Sequence, residues 1–195
     1  ELQVIFMVAG GESASGINSP GGVWAMATSL YCDANGDNNV SNVSGESFMT
    51  LDNVSLLGWP DTGQNGYSQF GERQGSISNN WDATIGIIAH ELGHAYFRLP
   101  DLYDTSSVGE GIGNFGLMGS GSWGLKSRNE YLGATPVHLS AWSKEYLGIC
   151  VPQTVANGTN SIILPAVYQS STHASSCRIY KATTSTIGEY FLFEN

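Results

Sequence analysis

Residues 90–94 of this 195-residue chain read His-Glu-Leu-Gly-His, and that pattern constrains the fold around it before anything else is considered. Two imidazoles four positions apart lie on the same face of an α-helix, so both rings can reach one metal ion. The glutamate beside the first histidine stands at the rim of such a site, where it can hold a metal-bound water and take its proton. His90 and His94 are therefore candidate zinc ligands and Glu91 a candidate general base. That set is the apparatus for hydrolysing a peptide bond.

The flanking residues predict a helix from about Asp82 to Phe97, with Asp82 as its N-cap. At about 100° per residue, Ile85, Ile88, Ala89, Leu92 and Tyr96 gather on one side and the two histidines on nearly the opposite side. The expectation is a core face and a metal face, with Glu91 at the edge between them. Leu99-Pro100 ends the helix, because proline lacks a donor and disfavours helix in its predecessor.

Around this helix the chain reads as strands, then two helices, then strands, which indicates an α+β fold. Leu2 to Val8 reads as a buried strand closed by Gly10-Gly11, Val23 to Tyr31 and Phe48 to Leu57 as further strands, and Trp59 to Ser78 as irregular. Thr105 to Leu125 reads as a long Gly-rich loop, Pro136 to Leu147 as a second helix, and the chain from Val151 as β. One domain over residues 1–195 is expected, with a sheet region at 1–80, the helices and Gly-rich loop at 81–148, and a β-rich part at 149–195. Both ends look cut, so a processed or excised piece of a longer precursor is expected.

Composition narrows the partners. A net charge of −10 with only 7 Lys plus Arg leaves no basic cluster, which argues against nucleic acid and anionic membranes. The longest apolar stretch, Val4 to Ala9, is far too short to span a bilayer. The Gly-rich segments lack the Gly-x-Gly-x-x-Gly arrangement of a nucleotide site. A charged fraction of 12% with 25 Gly suggests a loop-rich, secreted protein, for which a monomer is favoured. Of Cys32, Cys150 and Cys177, the last two flank a β-like segment and form the preferred disulfide.

The stretch after the second histidine, Ala95-Tyr96-Phe97-Arg98-Leu99-Pro100-Asp101-Leu102-Tyr103-Asp104, resembles the immune inhibitor A family of secreted bacterial zinc metallopeptidases. That family carries H-E-x-x-H-x-x-G-x-x-D, continuing L-P-D-x-Y-D. The resemblance extends to Phe70-Gly71-Glu72-Arg73, Ala83-Thr84-Ile85-Gly86, Leu117 to Trp123, Trp142 to Gly148 and the closing Glu189 to Asn195. It implies a zincin or metzincin-like catalytic domain with a mixed sheet, an active-site helix and a methionine turn. It also implies Zn²⁺, sometimes with structural Ca²⁺, and an extracellular enzyme acting on protein substrates.

One departure bears on the third ligand. The family's glycine three residues after the second histidine is Phe97 here, and Asp101 falls seven residues after His94 where the family has six. An additional helical residue or a wider turn before Leu99-Pro100 would absorb the difference. Asp101 is the first choice for third ligand, Asp104 the second, and a remote Glu110 or Glu130 the third. Met118 is the candidate apolar floor beneath the ligands. Asp33 to Asn39 alternates oxygen ligands as calcium loops do, but Asn38 and Ser44 replace the usual glycine and glutamate. His138, Tyr131 and Tyr103 are candidates for stabilising the transition state; His173 has no assigned role. The rival reading is a metal-binding or adhesive module that keeps the fold without turnover. Glu91 argues against it, since a closed structural site needs no base.

Overall fold

A central strand of 11 residues, Gly66–Ser76, organises the first part of the computed structural model. The structure describes residues 2–15, 22–29, 31–32, 47–48, 50–56, 66–106, 108–156, 158, 161–164, 166 and 178–195. In chain order the strands are β1 (Ile5–Gly11), β2 (Met26–Ser29), β3 (Tyr31–Cys32), β4 (Ser47–Phe48), β5 (Thr50–Leu51), β6 (Val54–Ser55), β7 (Gly66–Ser76) and β8 (Asn79–Asp82). Helices α1 (Ile85–Ala95) and α2 (Ala141–Tyr146) follow, then β9 (Gln153–Thr154), β10 (Tyr180–Thr183) and β11 (Tyr190–Phe193). The fold is α+β with mixed sheets and few helices. It divides into two compact units, Glu1–His138 and Leu139–Asn195.

In the first unit β1 runs parallel to β7, from Ile5 opposite Ser68 to Val8 opposite Gly71. Strand β2 lies antiparallel on the other side, from Met26 opposite Gln69 to Ser29 opposite Gly66. Strand β8 closes a hairpin on the far end of β7. The stretch expected to be irregular thus contains the centre of the sheet. Its Gly, Ser and Gln residues hide the strand pattern, yet they serve the packing. A Cβ on Gly71 would strike the backbone of Gly11 and Glu12, so only glycine lets β1 cross there. Strand β1 is correspondingly less buried than expected: Ile5, Phe6 and Met7 are exposed, and the strand continues through Gly11.

Helix α1 packs on this sheet through small residues. Ala25, Phe70 and Ile87 form the buried cluster between them, flanked by Ala83, Ile88 and Trp123. The expected faces of the helix are corrected accordingly. Ile85 and Tyr96 are exposed, whereas Gly86, Ile87, His90, Glu91, Gly93, His94 and Ala95 are buried. The side that approaches its neighbours most closely is glycine-bearing, which an apolar count cannot reveal. A Cβ on Gly86 would collide with the Ser122 carbonyl, and one on Gly93 with the Met118 side chain.

The N-cap is Thr84, two residues beyond the expected Asp82, which instead ends β8 and pairs with Arg73. The Gly86 amide donates to the Gly133 carbonyl at 2.9 Å, which satisfies one of the first-turn donors that a helix leaves open. In the second unit, α2 is capped by Ser140, whose hydroxyl accepts from the Ser143 amide, so it is shorter than the expected 136–147. There β10 pairs antiparallel with β11 and parallel with β9, and Lys181 lies over the Tyr190 ring. Cys150 is disulfide-bonded. Cys177, its expected partner, lies outside the described residues, as do the candidate calcium loop at 33–39 and His173.

Candidate metal centre and catalytic cleft

The turn after α1 decides where Asp101 goes. The Arg98 amide donates to His94 O at 2.9 Å, the single 5→1 bond of an αL helix end, and the Leu99 amide reaches back six residues to Gly93 O at 3.0 Å. Such an end needs one residue in the left-handed region, and here it is Arg98, with φ of 55°. This left-handed residue stands one position after Phe97, and through it the chain turns toward Leu99-Pro100 and Asp101. Arg98→Val should therefore cost about 1–2 kcal/mol, because a β-branched residue resists this conformation, while Arg98→Gly should be tolerated. Equilibrium denaturation of the two variants checks the contrast.

His90 and His94 present their Nε2 atoms 3.1 Å apart. Asp101 Oδ1 lies 3.1 Å from each. All three residues are largely buried. Their Nδ1 atoms face backbone carbonyls, that of His90 at 2.9 Å from Leu117 O and that of His94 at 2.6 Å from Leu99 O. A carbonyl oxygen cannot donate, so each Nδ1 carries a proton, and each ring in its neutral form turns an Nε2 lone pair inward. Three electron pairs thus converge with no proton of their own between them. A bound metal ion, or a proton on an imidazole shared with Asp101, relieves that arrangement.

The spacing suits a metal. Donors on a tetrahedral zinc at about 2.0–2.1 Å are about 3.3–3.4 Å apart, close to the triangle seen. These three residues form a group able to hold a metal ion, and it is the one such His/Cys/Asp/Glu group among the described residues. Carbonyl acceptors on the remote ring nitrogens also fix ring orientation, as partners of metal-binding histidines do. Electrostatics match the crowding. Burial works against a charged His90, but the hydrogen bonds to Asp101 and Leu117 and the carboxylates of Glu91 and Asp101 raise its pKa. Burial opposes ionised Asp101 too, yet the two histidines hold its carboxyl well below the usual range.

Glu91 is 5% exposed and lines the same cleft, where burial pushes its pKa up against the pull of both histidines. The backbone amide of Ala27 on β2 hydrogen-bonds its carboxylate. The cleft has a volume of about 560 Å³ and runs along Trp24 to Thr28, past the histidines, Asp101 and Tyr103, to Ser122 and Trp123. Tyr103 stacks toward His90 with ring centroids 6.3 Å apart and hydrogen-bonds Asp101. Burial and the nearby carboxylates push its pKa up to about 12.

The other candidates fall elsewhere. Both oxygens of Asp104 are taken up by its own loop, through the amides of Ser106, Val108 and Gly109. Glu130 accepts from the Lys126 amide and the Thr135 hydroxyl. Tyr131 stacks on Trp81, and neither it, Glu110 nor His138 lines the cleft. Met118 is 1% exposed beneath Gly93. The carbonyls of Leu99 and Leu117 and the Ala27 amide escaped sequence reasoning, because backbone groups leave no residue signature.

A buried His-His-Asp cluster able to hold a metal ion thus stands beside a carboxylate in an open cleft, the arrangement of a hydrolytic site. The chain belongs to the immune inhibitor A peptidase family: the family described as Immune inhibitor A peptidase M6, catalytic domain, matches residues 1–151. No curated protein and no solved structure gave a match. The molecule is accordingly a peptidase, a hydrolase with protein substrates. None of its described helices is long and apolar enough to cross a membrane.

Proposed function

We propose that this chain is a secreted, zinc-dependent endopeptidase in which His90, His94 and Asp101 hold the metal and Glu91 is the general base. The observation that carries the reading is the convergence of three inward-facing lone pairs beside a buried glutamate. Zinc, when bound, acidifies water and polarises a carbonyl. Glu91 takes the proton of the attacking water and delivers it to the leaving amine. The Ala27 amide keeps the carboxylate oriented toward the cleft.

An extended substrate fits antiparallel along the edge of β2, whose other side is already paired with β7. Met118 packs beneath Gly93 as the methionine floor of a metzincin-like site. The disulfide at Cys150 suits an oxidising, extracellular setting. Digestion of a denatured protein that stops with chelator and returns with zinc is the direct test; digestion indifferent to chelator refutes it.

Tyr103 is the transition-state donor in this reading. Its high pKa keeps the hydroxyl protonated at neutral pH, and it stands in the cleft beside Asp101. Tyr103→Phe should lower kcat at least about tenfold while KM and bound metal stay near wild type. An unchanged kcat removes it from that role.

A further inference from the structure

Glu12 is fully buried, and it is not among the described residues that line the cleft or that form the metal-binding group. It follows Gly10-Gly11 at the end of β1, and its backbone amide donates to Arg73 O at 2.7 Å. The side chain gathers amides from three separate segments. Oε1 accepts from Ala14 and from Ala25, each at 2.9 Å, and Oε2 accepts from Gly71 at 2.8 Å. The ladder between β2 and β7 runs from Ser29 and Gly66 to Met26 and Gln69 and stops. Just beyond it, the amides of Ala25 and Gly71 meet on one carboxylate. Glu12 thus replaces the missing rungs of the ladder and ties β2 to the central strand.

Strand β2 and the two residues before it carry both elements the reaction needs. Ala25 packs on Ile87 of α1, Ala27 donates to Glu91, and the edge from Trp24 to Thr28 borders the cleft. We propose that Glu12 is a positioning residue for catalysis: by clamping Ala25 to Gly71 it sets the distance of the β2 edge from α1. It thereby fixes both the Glu91 carboxylate and the line along which substrate lies. The proposal rests on the peptidase reading above and extends it to a residue outside the cleft. Gly71 belongs to the same device, since a Cβ there would displace the backbone of Glu12.

The experiment compares wild type with Glu12→Gln and Glu12→Asp, using the zinc-loaded full chain. Glutamine keeps one acceptor oxygen but turns an NH₂ group toward a backbone amide; aspartate keeps the charge and falls short of the strand. Gly75→Ala, strained at a φ of 96° and pressed on Trp81, serves as a destabilised control at the far end of β7. In the Glu12 variants amide exchange at Ala25, Ala27 and Gly71 should quicken about tenfold or more, the scale of losing a hydrogen bond to a charged group. Exchange in β10 should not change, and metal should stay at one per chain. Peptide turnover per metal should fall about tenfold beyond the Gly75→Ala control, and Glu12→Gln should retain more activity than Glu12→Asp. Turnover no lower than in the control, or unchanged exchange at Ala25 and Ala27 in whichever variant folds, overturns the proposal. A wild type without chelator-sensitive turnover sinks the peptidase reading and this one together; an active wild type beside an unaffected variant sinks this one alone.

Discussion

Glu91→Gln should abolish proteolysis by about 10²–10⁴-fold, the span of general acid–base catalysis, while leaving the metal bound. The substitution is nearly isosteric, and the amide can still accept the hydrogen bond from the Ala27 amide, so the helix and cleft keep their shape. What it loses is the ability to take a proton. Burial makes this position sensitive: at 5% exposure the carboxylate is held in place beside both histidines. Initial rates on a denatured protein, normalised to bound zinc, measure the effect. Activity within a few-fold of wild type would show that another group moves the proton, and zinc loss would show that Glu91 shapes the metal centre instead.

The parts of the fold that were legible in the sequence are those where chemistry repeats at a structural period. Helix α1 showed itself through the spacing of its two histidines and of its apolar residues. Which side faced inward did not, because Gly86 and Gly93 make the closest approaches and carry no hydrophobic signal. Strand β7 was hidden for a related reason. Ser68, Gln69, Gly71 and Gln74 have low strand propensity, and the segment is held by ladders to β1, β2 and β8 that pair residues far apart in the chain.

At the site, His90, Glu91 and His94 follow from local spacing, but the course of the chain to Asp101 does not. A non-glycine residue at positive φ has only a weak sequence signature, so nothing marked Arg98 as the turning point. Glu12 was silent altogether. The amides of Ala14, Ala25 and Gly71 donate to it, and no pattern of side chains announces backbone donors.

Removing the Asp101 carboxylate should weaken zinc binding by more than about 100-fold, above the 10–100-fold typical of residues that only support a ligand. Asp101 is the sole anion of the triad, and its Oδ1 completes a triangle whose other corners are neutral nitrogens. Asp101→Ala leaves two imidazoles, each still held by a backbone carbonyl, and too few donors for a catalytic zinc. Asp101→Asn should be intermediate, since its amide oxygen can still coordinate but brings no charge. Asp104→Ala tests the other register. Its oxygens organise the loop from Ser106 to Gly109, so its loss should loosen that loop and shift zinc affinity within the supporting range. Competition with a chelator of known affinity ranks the three variants. If Asp104→Ala releases zinc and Asp101→Ala retains it, the Arg98 turn does not carry the ligand and Asp104 takes its place. If both retain zinc, the third donor comes from a remote glutamate, and Glu110 or Glu130 must move to reach the histidines.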